Sequence, residues 1–114
     1  MVTTTQTRPS TARASRAGYW CEASAHTPGA RTIWLDSHPA NSPRTALRWL
    51  RSRVQDVTDQ LDQPYARPGH HWLTDEAEHE RARTLLAHGE TYVLTLHDET
   101  TRYVLSARAA GAVR

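Results

Sequence analysis

Seven histidines in 114 residues are the first side chains in this sequence that could do chemistry, because imidazole is a common metal ligand. Four of them recur at a fixed interval: His70, His79, His88 and His97. Nine residues on a helix turn through about 900°, so neighbouring members of this series point in opposite directions and cannot share an ion. Glu76 and His79 have the Glu-x-x-His spacing of a helical metal site, but a dimetal site needs two copies of it. Their spacing still permits a zinc site formed by Glu76 and His79 together with His70 or His71. We nevertheless expect no metal and no other cofactor.

The single cysteine, Cys21, excludes an internal disulfide and an all-cysteine metal site. A reactive thiolate needs a nearby cation or a helix N-terminus, whereas Cys21 lies between aromatic and small residues in a predicted strand. We therefore expect it to be a buried, small hydrophobic side chain. The sequence has no Gly-x-Ser-x-Gly motif and no glycine-rich phosphate loop, so it favours a non-enzymatic protein and indicates no catalytic residue.

Charge and composition give little support to a nucleic-acid partner. All fourteen basic residues are arginine, and lysine and phenylalanine are absent, which indicates a GC-rich bacterial genome; we hypothesise an actinobacterium or one of its phages. A net charge of +2 is far from the strongly basic balance of a protein that neutralises phosphates. Reduced cysteine and the lack of a long apolar run predict a cytoplasmic protein with no membrane partner.

One segment, Asn41 to Asp62, predicts a long amphipathic helix whose start and stop are both marked. Ser42 can cap it, and Pro43 suits the first helical position. An apolar stripe of Leu47, Leu50, Val54, Val57 and Leu61 covers an arc of roughly 80° and requires a sheet to pack against.

Beside that stripe the predicted helix carries charges that oppose its dipole. The cations Arg44, Arg48 and Arg51 lie in its first half, and the anions Asp56, Asp59 and Asp62 continue the same flank. Cations near a helix N-terminus and anions near its C-terminus are each unfavourable. Either this flank is an ordinary solvated face or its charges meet a partner.

Two hairpins and a shorter helix complete the predicted fold. Tyr19 to Ala25 and Arg31 to Asp36 form the first hairpin around Thr27-Pro28-Gly29, with Gly29 in the left-handed conformation and His26 opposite Ala30. One face then holds the predicted core residues Tyr19, Cys21, Ala23, Ile33 and Leu35, and the other face holds Trp20, Glu22, Thr32 and Trp34. Two tryptophans on an outer face predict that something covers them.

The remaining segments predict one helix, one hairpin and two irregular stretches. Asp36 to Ala40 reads as a turn through His38-Pro39 into the main helix, and Gln63 to Trp72 reads as an irregular connection pinned by Tyr65 and Trp72. Asp75 to His88 reads as a helix. Thr91 to His97 and Arg102 to Ala109 form the last hairpin. We therefore predict an α+β fold with about four antiparallel strands, two helices on one face and a disordered tail at residues 1–17; residues 18–114 form a single domain.

The expected function is that of a small protein-interaction or regulatory module that self-associates. Antiparallel pairing of the main helix about a two-fold axis near Arg53 would bring all six flank charges of one copy opposite the opposing charges of another. Leu47, Val54 or Leu61 would seal that contact. The alternative is a small DNA- or RNA-binding regulator that uses the arginines, the basic tail and the exposed tryptophans. A small enzyme is the least favoured class.

Overall fold

The computed structural model describes residues 18–110, so the predicted disordered tail lies outside the described residues. The elements are β1 (Tyr19–His26), β2 (Thr32–Ala40), α1 (Pro43–Gln60), α2 (Gln63–Leu73), α3 (Glu76–Ala87), β3 (Tyr92–His97) and β4 (Arg102–Ala109). The four strands form one antiparallel sheet in the order β2-β1-β4-β3. The core lies between one face of this sheet and the helices, which confirms the predicted α+β class.

Helix α1 begins as its sequence predicts. The backbone N–H of Thr45 donates to Ser42 Oγ at 3.1 Å, and the N–H of Ser42 donates to Thr45 Oγ1 at 3.1 Å. This reciprocal cap satisfies two backbone donors that the helix itself leaves free. Pro43 follows at the first helical position, and the apolar stripe buries Leu47 and Leu50 against the sheet. The predicted helix is therefore confirmed, although it ends at Gln60.

The segment predicted as an irregular connection is helical, so that prediction is wrong. Pro64 lies in the first turn of α2, where a missing N–H has no partner to lose, and Pro68 removes one backbone hydrogen bond inside the helix. Packing offsets this loss because the helix buries Ala66, Gly69 and Trp72. Residues 18–110 therefore contain three helices instead of the two predicted.

The last hairpin and the short helix agree with the sequence. In β3 and β4, Leu96 lies opposite Tyr103 and Leu94 opposite Leu105, as the predicted register requires. Asp75 caps α3 by accepting the backbone N–H of Glu78 at 3.1 Å. Both elements follow from local signals, namely a short turn and a marked helix start.

The first hairpin differs from its prediction in both register and length. His26 pairs with Thr32 instead of Ala30, and Leu35 is an extra residue that bulges between the partners of Ala23 and Ser24. The strand also continues through His38 and Pro39 to Ala40, where a turn was predicted.

The core assignment of two β2 residues is wrong for a related reason. Ile33 and Leu35 are 45% and 48% exposed, because β2 is an edge strand and the buried core lies under the middle of the sheet. The outer-face assignment is correct, since Trp20 and Glu22 pair across from Pro39 and Ser37, and Ser24 from Trp34.

The loop of this hairpin closes through Thr27, whose N–H donates to the carbonyl of Arg31 at 3.0 Å. Ala30, not Gly29, has the left-handed conformation, with φ of 62°. We expect Ala30→Gly to raise the free energy of unfolding by about 0.5–1 kcal/mol, because glycine avoids the left-handed penalty of a side chain. Denaturation in urea measures this change.

Gly29→Ala is the matched control in the same loop. An added Cβ at Gly29 meets nothing within 4 Å, so we expect no loss of stability. The opposite result would be an unchanged stability for Ala30→Gly and a lower stability for Gly29→Ala. It would show that Gly29 has the left-handed conformation, as the sequence predicts.

Candidate interaction surface

Exposed apolar side chains concentrate on β2. Among the large hydrophobic residues of the described chain, Ile33, Trp34 and Leu35 are 45%, 66% and 48% exposed, and they are consecutive. Val93, at 52%, lies on β3 at the opposite edge of the sheet. An edge strand also presents N–H and C=O groups that no neighbouring strand satisfies. Strand β2 therefore combines an open hydrogen-bonding edge with exposed apolar side chains.

The outer face of the sheet carries the two tryptophans that the sequence places there. Trp20 is half-buried, and its Nε1 donates to Glu22 Oε2 at 3.1 Å. Trp34 is more exposed, and a shallow depression lies between the two indoles. The helices of the described chain pack on the opposite face, so this aromatic surface is accessible from solvent.

The inner flank of β2 borders a groove of about 420 Å³ against α1. Ile33, Leu35 and Val57 are among the apolar residues that line it. At its rim, Arg53 Nη1 donates to Asp36 Oδ2 at 3.0 Å, and Arg53 Nη2 forms an ion pair with Asp56 Oδ2 at 2.6 Å. This arginine ties β2 to α1 and holds the edge strand in place.

Aromatic stacking strengthens the same attachment. The His38 ring stacks on Trp49 of α1 with centroids 6.3 Å apart and planes only 8° apart. The guanidinium of Arg53 lies 5.9 Å from the centroid of the Trp49 ring, within cation–π range. Strand β2 therefore has an exposed edge, while α1 holds its inner side in place. Because the strand is already ordered, less conformational entropy is lost when a partner binds.

The charged flank of α1 is exposed, but most of its predicted apolar border is buried. Leu47 and Val54 are only 2% and 0% exposed, so they cannot seal a contact with another molecule, whereas Leu61 is half-buried. The arginines of the flank, Arg44, Arg48 and Arg51, are exposed and make no ion pair within residues 18–110.

The acids of the same flank have internal roles. Asp56 binds Arg53, and Asp59 accepts a hydrogen bond from Gln55 Nε2 at 2.8 Å. Asp62 differs from the other two: it is the N-cap residue that precedes α2, but its side chain makes no capping hydrogen bond. An interaction role for the six flank residues stays a prediction.

The strongest cluster of polar groups lies elsewhere, where α2, α3 and β3 meet. Trp72 Nε1 donates to Tyr92 Oη at 2.8 Å, and the Tyr92 hydroxyl donates to Glu78 Oε2 at 2.6 Å. Arg81 binds both oxygens of Glu78, with its Nε at 3.0 Å and its Nη2 at 2.8 Å. The chain of donors and acceptors is complete, so each element is tied to the next.

The pKa values of the two acidic groups in this cluster, the Glu78 carboxyl and the Tyr92 hydroxyl, lie far from neutral pH. Hydrogen bonds from Arg81 and then Tyr92 lower the pKa of Glu78 to about 2. Burial, followed by the hydrogen bond to Glu78, raises the pKa of Tyr92 to about 12. A general acid or base needs a pKa near the operating pH, so this cluster stabilises the fold and is unsuited to proton transfer.

The residues considered for zinc do not converge. His79 is fully buried and its Nε2 lies 2.8 Å from the carbonyl oxygen of Trp72, which can only accept, so Nε2 carries the proton. Its ring also packs against the Trp72 indole at 4.5 Å. Glu76, His70 and His71 are exposed, and no three potential metal ligands come together within the described residues. His79 is a core residue of the helical layer.

Cys21 is a core residue as predicted. It is fully buried on the inner face of β1, and burial raises the pKa of its thiol to about 11. The neutral thiol is a poor nucleophile, so its role is packing.

Comparison with known proteins leaves the surface to be interpreted from its own geometry. The chain matches no protein-family model, no curated protein and no solved structure. Among the described residues, no helix combines the length and the apolar character needed to cross a bilayer.

Proposed function

We propose that this chain is a non-enzymatic protein-interaction module that binds an extended segment of a partner protein along the edge of β2. One observation carries the proposal: three consecutive large hydrophobic residues, Ile33, Trp34 and Leu35, are exposed on a strand with an open edge. Natural proteins usually protect such edges with charges, prolines, bulges or short strands, because an exposed apolar edge pairs with other chains. Strand β2 has a bulge at Leu35 and a proline at Pro39, but it has no charged residue from Thr32 to Leu35.

The geometry suits strand addition because it separates affinity from specificity. Backbone groups of β2 supply hydrogen bonds to any extended chain, whereas the side chains on its two faces select among sequences. Trp34 offers an aromatic contact on the outer face, and Ile33 offers an apolar contact beside the inner groove. A partner segment with large apolar residues at consecutive positions would fit both, because consecutive side chains of a strand point to opposite faces.

A second candidate function is binding to nucleic acid, and the unpaired arginines of α1 favour it. Arg44, Arg48 and Arg51 make no ion pair in the described chain and could contact phosphates. Asp59, further along the same flank, would repel a duplex lying along the helix. Only the first half of α1 could then dock.

Affinity capture from an actinobacterial lysate, with and without nuclease, separates the two functions. The test variant carries Trp20→Thr and Trp34→Thr, and circular dichroism checks that it stays folded. Val93→Thr is the matched control, because Val93 is an exposed apolar residue on the other edge strand. We expect the double variant to lose a captured protein that the wild type and the control both retain.

A captured protein supports the proposal only after a second measurement. Once purified, it must slow amide hydrogen exchange in residues 32–37, because strand addition satisfies their free backbone groups. Capture that survives the double substitution, or exchange that does not change, overturns the proposal. Capture that nuclease abolishes and that Arg48→Asp with Arg51→Asp removes would establish the nucleic-acid function instead.

A further inference from the structure

We propose that the shallow depression on the outer face of the sheet binds the quaternary ammonium group of a choline-like ligand between the indoles of Trp20 and Trp34. The depression has a volume of about 330 Å³, which is at the small end of the range for ligand sites. It needs no strand added at the edge of β2, so this inference goes beyond the proposed function and does not rest on it.

The strand register places one carboxylate between two aromatic rings. Trp20, Glu22 and Ser24 are alternate residues of β1, so they share the outer face. Trp34 of β2 lies directly opposite Ser24. Glu22 is therefore midway between the two tryptophans, which are about 13 Å apart along the strand direction. Trp20 Nε1 donates to Glu22 Oε2 at 3.1 Å, which holds the carboxylate beside the first indole, and both tryptophans and Glu22 line the depression.

The depression carries a carboxylate that no cation of the described chain neutralises. Glu22 is half-buried and makes no ion pair within residues 18–110. Asp36, the other acid that lines the depression, is already bound by Arg53 at 3.0 Å. Arg108, opposite Trp20 on β4, is exposed and does not line the depression. A partly buried charge without a partner is unfavourable, so a ligand with one positive charge complements this site.

The walls of the depression favour a methylated cation over other cations. Indole faces attract a cation electrostatically and also bury apolar surface, and a trimethylammonium group offers both a charge and methyl groups. A primary ammonium group has three N–H donors that need acceptors, and a metal ion needs several oxygen ligands. Glu22 already accepts a hydrogen bond from Trp20, and the two oxygens of Asp36 accept from the N–H of Ser37 and from Arg53. No three potential metal ligands come together in the described part of the chain.

A titration of the full chain with choline, followed by nuclear magnetic resonance of the four tryptophan indole N–H groups, tests the site. We expect a dissociation constant of about 1–10 mM, with shifts confined to Trp20 and Trp34. Trp49 and Trp72 lie in the helices and serve as internal controls. The neutral isostere 3,3-dimethylbutan-1-ol has the shape of choline without its charge and should bind at least about tenfold more weakly.

Matched substitutions locate the site. Trp34→Leu keeps an exposed apolar side chain but removes the aromatic face, so the dissociation constant should rise about fivefold or more, and Trp34→Tyr should restore most of the affinity. Glu22→Gln keeps an acceptor for Trp20 but removes the charge, so it should also raise the constant about fivefold. Val93→Leu, on the other edge strand, is the control and should leave the constant unchanged. Circular dichroism checks that each variant is folded.

The same ammonium group is the headgroup of phosphatidylcholine, so vesicles distinguish the two sources. Binding of choline without binding to phosphatidylcholine vesicles assigns a soluble ligand. Binding of choline together with sedimentation on phosphatidylcholine vesicles, but not on phosphatidylglycerol vesicles, assigns the lipid headgroup. Binding to vesicles without binding of choline overturns the inference, because the surface then recognises the bilayer and not the ammonium group.

Three further outcomes also overturn the inference. Equal binding of choline and its neutral isostere would reduce the contact to apolar burial. A dissociation constant that neither Trp34→Leu nor Glu22→Gln changes would place the site elsewhere. Choline that shifts neither Trp20 nor Trp34 at concentrations well above the expected constant would leave the depression without this ligand. None of these results affects capture of a protein through the edge of β2, so the proposed function stands or fails by its own test.

Discussion

Gly69→Ala is expected to lower the free energy of unfolding by about 2 kcal/mol or more, because it overpacks the contact between α1 and α2. An added Cβ would lie 2.0 Å from Thr58 Oγ1 and 3.1 Å from Thr58 Cβ. Thr58 is 1% exposed, so its side chain has no free space in which to move. The added helix propensity of alanine offsets only about 1 kcal/mol of this loss. Urea denaturation gives the difference directly.

A double-mutant cycle identifies the clash. Thr58→Ala removes Oγ1 and Cγ2 of Thr58, which lie close to the methyl group that Gly69→Ala adds, and leaves only the Cβ of residue 58. In that background Gly69→Ala should therefore be nearly neutral. If the two substitutions instead lower stability additively, the helices do not approach each other at Thr58, and the observed packing of α2 is wrong.

Acid is expected to destabilise this protein through Glu78. Its pKa is about 2 in the folded chain, against an ordinary value of 4.5, because Arg81 and then Tyr92 donate hydrogen bonds to its carboxylate. A lowered folded pKa gives stability that is complete well above pH 4.5 and is lost as the pH falls toward 2. With solvent screening included, we expect a loss of about 1–2 kcal/mol over this range.

Glu78→Gln isolates this contribution. The variant should be less stable than the wild type at neutral pH, and the difference should shrink as the pH falls from 5 to 2. Glu80→Gln is the matched control, because Glu80 is exposed and its ion pair joins it only to Arg83. Thermal unfolding at a series of pH values measures both. A constant difference between wild type and Glu78→Gln at all pH values would show that the carboxylate is not held in its charged form.

The parts of the fold that could be predicted are those set by local signals. The start of α1 follows from Ser42 and Pro43, and the register of the last hairpin follows from alternation around a short turn. Helix α2 was missed because Pro68 and Gly69 break helices by propensity, and only packing against Thr58 explains why a glycine is needed. That contact joins two helices and leaves no local signal.

The candidate surface was predicted only in part, for a comparable reason. Alternation along the two strands of the first hairpin placed Trp20 and Trp34 on the outer face, which the structure shows. Alternation cannot reveal strand order, so it did not identify β2 as an edge, and the bulge at Leu35 shifted the register. Two signals could have done so: the uninterrupted Ile33-Trp34-Leu35 run, and Pro39, which a strand between two neighbours would exclude.

The central pair of the sheet joins the first and last strands of the described chain. Strand β1 pairs with β4 from Tyr19 opposite Ala109 to His26 opposite Arg102. During synthesis on the ribosome, β1 therefore waits for its inner neighbour until β4 has emerged. Until then both edge strands of the first hairpin lack an outer neighbour, and one of them, β2, carries the exposed apolar residues Ile33, Trp34 and Leu35. Pairing of such distant segments slows folding, so a nascent chain of this protein stays exposed to aggregation until β4 has emerged.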